Sequence, residues 1–266
     1  MLMRPTPMAI AILATLSAAT LSAATATAQD APARRTRIGA GPQIVPRYPG
    51  ADRVSIRPLI DVSRATGDAD FAFEAPDESI GTPLLRRGDL SIGPALGFEG
   101  SRRARDVGAP VRKIGFTIEA GGFVQYQLTP AIRARAEIRK GIGGHRGWIG
   151  TIGADYVARD RDRSVFSIGP RVTIGDDRYH RAYFGVGAAD AVAAGLPRFD
   201  ASGGIQAIGV TAGLIRQITP VWGIYSYAKY DRLVADPARS PIVRAFGARD
   251  QLSGGVALTY TFGARR

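Results

Sequence analysis

The side chains best able to do chemistry in this sequence are few, and their spacing is poor for catalysis. There are two histidines. His180 follows Asp176 and Asp177, and an Asp–His pair of that kind can activate a water or a nucleophile. No serine or second carboxylate stands at a recognisable spacing to complete such a site, so a turn or rim histidine is the simpler reading. His145 lies in Gly143-Gly-His-Arg-Gly147, a glycine-rich turn. Cysteine is absent, which removes disulfides, thiolate metal sites and a cysteine nucleophile. The glycines do not lie between a strand and a helix, as phosphate-cradling loops require. The residues therefore point to no enzyme, no catalytic residue, no cofactor and no metal.

A second group of charges is more informative. Arg133, Arg135, Glu137 and Arg139 alternate with Ile132, Ala134, Ala136 and Ile138. At helical spacing these charges would wrap around the cylinder and leave no apolar stripe, whereas at a period of two they share one face. With Arg57 and Arg171, which alternate similarly within their own segments, they are the candidate lining of a wet interior. Their chemistry would be electrostatic: a cationic lumen attracts anions. An arginine moved to the other parity of a membrane strand would cost roughly 2–4 kcal/mol near the bilayer midplane. Ala134→Arg and Ala136→Arg are thus expected to impair assembly. Arg135→Ala is expected to be tolerated, because water can hydrate its neighbours.

These charges need strands to position them. The last segment, Gln251-Leu-Ser-Gly-Gly-Val-Ala-Leu-Thr-Tyr-Thr-Phe262, puts Leu252, Val256, Leu258, Tyr260 and Phe262 on one parity and small or polar residues on the other. About ten residues of such alternation cross a bilayer when tilted. About twelve strands are expected, with 10–14 admissible. They fall near 37–46, 53–63, a short one at Phe71 and Phe73, 90–100, 114–128, 132–139, 148–159, 163–175, 181–186, 205–216, 221–232 and 251–262. Residues 75–88 read as an irregular loop, and 187–204 and 233–249 as long external loops or lids. Aromatics such as Tyr126, Trp148, Tyr156, Phe166, Tyr183, Phe184, Trp222 and Tyr260 suit interface girdles. The fold class is all-β, a transmembrane antiparallel barrel.

The ends and the composition agree with export. Arg4, the apolar stretch 8–21 and Ala26-Thr27-Ala28 read as a signal peptide over 1–28, cleaved between Ala28 and Gln29. Residues 29–36 read as a flexible lead-in, 37–262 as the barrel and 263–266 as a C-terminal extension. Beyond the leader, no apolar run is long enough for a membrane helix. The formal charge of +12 is spread over turns and alternating strand positions rather than in one patch, and an exported chain does not meet nucleic acid. Lipid head groups or murein carboxylates are the expected neighbours.

Several motifs occur in a familiar order. They are Tyr48-Pro-Gly-Ala-Asp52, Gly93-Pro-Ala-Leu-Gly97, Gly144-His-Arg-Gly147, Ser167-Ile-Gly-Pro-Arg171, Tyr179-His-Arg-Ala-Tyr-Phe-Gly-Val186, Ser240-Pro-Ile-Val243 and the terminal Tyr260-Thr-Phe262. In these the chain resembles the MltA-interacting protein family, MipA/OmpV, over the whole mature sequence. The resemblance implies the outer membrane of a Gram-negative bacterium. It also implies a scaffold that joins a lytic transglycosylase to a murein synthase, and it carries over no catalytic residues. The alternative is a small anion-preferring channel lined by the arginines above. Long periplasmic segments would favour the scaffold, and an unobstructed lumen the channel. The oligomeric state is left open.

Overall fold

One parity rule builds the whole wall. In the long strands, apart from the start of β10, the odd-numbered residues point inward and the even-numbered ones outward. On β7 (Ile132–Gly143) Arg133 and Glu137 are buried while Ile138 and Ile142 are exposed. The structure is a computed structural model that describes residues 33–263. The leader, the Ala28/Gln29 junction and residues 264–266 lie outside the described residues. No helix among them is long and apolar enough to cross a membrane.

The other strands are β1 (Arg34–Pro46), β2 (Val54–Thr66), β3 (Ile80–Gly81), β4 (Leu85–Arg87), β5 (Leu90–Glu99), β6 (Thr117–Thr129), β8 (Trp148–Asp160) and β9 (Ser164–Gly175). The last three are β10 (Gly204–Gln217), β11 (Trp222–Leu233) and β12 (Asp250–Phe262). They form one antiparallel sheet in the order β2-β1-β12-β11-β10-β9-β8-β7-β6-β5-β3, with β4 also on β5. The sheet curls into a transmembrane barrel. The strand ends carrying β1's start and β12's finish have short turns, at 130–131, 161–163 and 218–221. The opposite ends have long connections that hold five short helices, α1 (Ala104–Val107), α2 (Asp177–Tyr183), α3 (Ala188–Ala194), α4 (Ala235–Arg239) and α5 (Pro241–Phe246).

Inward glycines shape the wall. A Cβ added at Gly41, Gly121 or Gly169 would overlap the backbone of the next strand, at Val256, Ile138 and Ala154 respectively. Glycine at such points allows the sheet to bend sharply. On β10 a register shift between Ile205 and Ala207 turns both Gln206 and Ala207 inward, where both are buried.

Several sequence expectations are corrected. Phe71 and Phe73 do not form a wall strand: residues 67–79 leave β2 and run inside the barrel. The stretch expected to be a loop, 75–88, supplies β3 and β4 on the edge of β5. Residues 181–186 belong to α2 and its end, because the Asp176 carboxylate caps the helix by accepting from the Tyr179 N–H at 2.7 Å and Tyr179 and Tyr183 share a buried helical face. Tyr183 and Phe184 are accordingly buried rather than part of a girdle. The outward aromatics do cluster: Trp222, Tyr260 and Phe262 stack edge-to-face near the short-turn end. Strand β1 begins at Arg34, inside the stretch expected to be a flexible lead-in.

Candidate functional site: the charged lumen and its lid

The inward face of β7 sets the site. Arg133, Arg135, Glu137 and Arg139 project into the lumen at two-residue intervals; β6, β8 and the inserted segment present carboxylates to the arginines, and β9 and β11 add further cations. A single chain of ion pairs results. Lys229 meets Asp77 at 3.1 Å, and Asp77 meets Arg171 at 3.1 Å. Arg171 meets Asp155 at 2.6 Å, and Asp155 meets Arg133 at 2.8 Å. Arg133 also pairs with Glu78. Arg135 lies between Glu78 at 3.5 Å and Glu137 at 3.0 Å. Arg139 pairs with Glu137 and, at 2.9 Å, with Glu119. His145 completes the chain: Gly147 N–H donates to its Nδ1 at 3.1 Å, so its Nε2–H donates to Glu119 at 3.0 Å. Gly141 leaves room for that imidazole, because a Cβ there would overlap the ring.

Asp77 and Glu78 come from the inserted segment, so the lumen is filled and neutralised by the chain itself. Thr211 Oγ1 donates to Asp77 at 2.9 Å, and Ser79 Oγ donates to Glu137 at 2.9 Å. Phe71 is buried beneath the guanidinium groups of Arg35 and Arg37, 5.0 and 4.6 Å from its ring centre. Its N–H donates to Asp162 at 2.9 Å, and its carbonyl accepts from Arg159 at 2.6 Å. Five of the six charges expected in the lumen, Arg133, Arg135, Glu137, Arg139 and Arg171, are brought into this network. Arg57 is not: it donates to the Arg47 carbonyl at 3.1 Å, with no carboxylate in ion-pair range among the described residues.

Arg135→Ala is therefore not expected to be tolerated, contrary to the sequence reading. The Arg135 guanidinium lies 3.7 Å from the ring centre of Phe123, and its loss would strand buried carboxylate. The sequence missed Asp77, Glu78 and Lys229 as members of the site. Asp155 was detectable, since it shares the inward parity of β8. For Asp77 and Glu78 no periodic signal exists.

Above the network a chamber of about 330 Å³ is bounded by Arg57, Glu99, Arg139, Lys229 and Asp231. A lid on the long-loop side closes over it, and three of the motifs carrying the family resemblance, those at 48–52, 179–186 and 240–243, converge there. Tyr48, Ala51, Tyr179, Tyr183, Phe184, Val186, Ile242 and Val243 form one buried apolar cluster. Gly50, at φ 91°, packs beneath Val243 and Phe184, a backbone conformation that favours glycine. Its N–H donates to Gln251 Oε1 at 3.0 Å, Arg102 donates to the Tyr183 carbonyl at 2.7 Å, and Ser240 Oγ donates to the Phe184 carbonyl at 2.7 Å.

His180 is part of this lid, and the Asp–His pairing considered from sequence is not made. Asp176 caps α2, Asp177 accepts from Gly203 N–H at 2.6 Å, and the imidazole Nδ1–H donates to the Ser202 carbonyl at 2.5 Å. Its Nε2 is buried without a partner. Burial holds the His180 pKa below its ordinary 6.5, against the raising effect of the Ser202 carbonyl and of Asp236, Asp176 and Asp177. A base with a depressed folded pKa contributes its full stability above the unfolded value and loses it as pH falls below that value. The lid is thus expected to be intact at pH 7.5 and to loosen as the pH falls below 6.5. The protection factors of residues 177–203, taken relative to intrinsic exchange at each pH, should fall over that range, and His180→Asn should remove the pH dependence. Equal protection factors at pH 7.5 and below pH 6.5 would sink this assignment.

Among the described residues, no group of three or more His, Asp or Glu is placed to hold a metal ion. No curated protein matches the chain. Similar solved structures include the neisserial surface protein A, at 9% identity over 86% of this chain and 96% of that one, with a TM-score of 0.26. The monoaromatic hydrocarbon channel CymD matches at 9% identity over 90% of each chain, with a TM-score of 0.35. OmpT of Vibrio cholerae matches at 9% identity over 86% of this chain and 96% of that one, with a TM-score of 0.35. At such identities and scores the likeness says nothing about substrate or partner. The family model is decisive: it is described as MltA-interacting protein MipA and matches residues 38–262, nearly the entire sheet. The chain belongs to the MltA-interacting protein MipA family.

Proposed function

We propose that this barrel sits in the outer membrane of a Gram-negative bacterium as a non-enzymatic docking platform for murein-remodelling enzymes, a lytic transglycosylase and a murein synthase. The family description supports the first partner. Outer-membrane barrels keep short turns on the periplasmic side and longer loops outside, so the murein-facing end is the short-turn end, and the outward aliphatic band meets lipid.

The observation that carries the reading is the charge of that end. Arg34, Arg64, Arg87, Arg161, Arg163 and Arg216 are exposed around it, against Asp68, Asp70, Asp89 and Asp160. A cationic rim attracts an acidic protein surface, and the attraction weakens with salt. The periplasmic segments are short, so the platform is the rim itself rather than long arms. The anion-channel alternative needs an unobstructed lumen, and the inserted segment with Asp77 and Glu78 weighs against it.

Immobilised barrel in detergent is expected to retain a lytic transglycosylase near 0.1 M salt and to release it near 1 M, where the screening length falls from about 10 to about 3 Å. Arg161→Glu with Arg163→Glu should abolish retention, and planar bilayers should show no steady conductance. Steady anion-selective current without partner retention would replace the platform with the channel.

A further inference from the structure

The sheet that forms the barrel wall has two free edges, β2 and β3–β4. The path β2-β1-β12-…-β5-β3 has eleven positions, with β4 continuing the β3 edge. Neighbours alternate in direction throughout. Both free edges, β2 on one side and β3–β4 on the other, therefore run from the long-loop end to the short-turn end. An odd ring cannot be antiparallel at every junction; closing this one requires a strand running the opposite way between the two edges. Residues 67–79 lie between those edges in sequence and climb in that direction. They leave the short-turn end at Gly67, whose N–H donates to the Ala33 carbonyl, and finish where Ile80 pairs with Leu96 on the upper half of β5.

We propose that residues 67–79 are the absent wall strand, and that the segment exchanges between the lumen and the gap beside β2. Its length suffices, since about 9–11 residues span a bilayer as a tilted strand. Its pattern fits over 67–76: Phe71, Phe73 and Ala75 alternate with Ala72 and Glu74, so in the wall the two aromatics would face lipid, and Asp77, which shares their parity, would lie beyond the spanning stretch at the upper rim. The edges it would join are bare. Ile56 and Leu84 are 78% and 79% exposed, against 55% for Ile138 and 53% for Ile152 inside the sheet. Unpaired backbone at a sheet edge is costly in hydrocarbon. In the lumen, by contrast, side chains hold the segment, chiefly through Asp77 and Glu78, and it joins no ladder. The segment can close only one opening at a time. Inside, it blocks the axis and leaves the side open. In the wall it would seal the side and join the chamber beneath the lid to the short-turn mouth, so that small hydrophilic solutes could enter.

The chain has no cysteine and two tryptophans, which makes the test clean. Phe73→Trp, on a Trp148→Phe/Trp222→Phe background, would be reconstituted in phosphatidylcholine vesicles with brominated acyl chains. Little quenching is expected with the ion pairs intact. Asp77→Asn with Glu78→Gln should move the lumen-to-wall ratio at least ~10-fold toward the wall, read as strong quenching by the brominated chains. A second variant, Asp77→Cys/Thr211→Cys, replaces a contacting pair; oxidation should suppress quenching, and reduction should restore it. If the charge variant fails to fold, the oxidised and reduced forms of this cysteine pair decide alone. An indole left unquenched in folded, reduced protein would make the segment a fixed plug and overturn the proposal.

Discussion

Asp155→Ala is expected to lower the temperature at which the folded barrel converts to the slow-migrating form on a gel, corresponding to a loss of about 3 kcal/mol. Asp155 is 2% exposed and lies between two guanidinium groups, Arg133 at 2.8 Å and Arg171 at 2.6 Å. Removing one partner of a buried pair leaves the other charge uncompensated, which typically costs about 3–5 kcal/mol. The lower value applies here because Glu78 and Asp77 still contact the two arginines. Asp155→Asn keeps an acceptor but no charge, and should fall between the wild type and the alanine variant. An unchanged transition in Asp155→Ala would mean that water, not the carboxylate, compensates these arginines.

Ala136→Arg should have a comparable effect by the opposite route. Ala136 sits on the outward parity of β7, opposite Val124 on β6 and Ile152 on β8, well inside the strand. An arginine there meets lipid rather than the lumen, at about 2–4 kcal/mol near the midplane. The assembled fraction in outer-membrane preparations, read by heat-modifiable mobility, is expected to drop sharply. The same substitution at the half-buried turn residue Ala131, outside the strands, should cost far less. Equal assembly of both variants would show that β7 does not face hydrocarbon.

Parity was legible because it is purely local. The alternation in Ile132–Gly143 or Asp250–Phe262 reflects only where successive side chains point, and the structure follows it strand by strand. The expected strand over 181–186 failed because Tyr183-Phe184-Gly-Val alternates as a strand would. The helix signal lay upstream, in the Asp176 cap and the four-residue spacing of Tyr179 and Tyr183. The inserted segment failed for another reason. Phe71 and Phe73 carry a wall pattern, and what keeps them inside is pairing of Asp77 and Glu78 with basic residues from β7, β9 and β11. No window of sequence contains both halves of those pairs. The candidate site was therefore half readable: its cations on β7 and β9 were visible, while the carboxylates that neutralise them were not.

The distance along the chain between those halves also bears on timing. Asp77 and Thr211 touch across 134 residues of sequence. Contacts of such long range form late, because a large loop must close before they return any energy. Asp77 cannot find Arg171, Thr211 and Lys229 until β9, β10 and β11 stand side by side. Until then the segment after β2 carries unpaired carboxylates and two unburied phenylalanines. Synthesised early and anchored last, it makes filling of the lumen a late step in the maturation of this barrel.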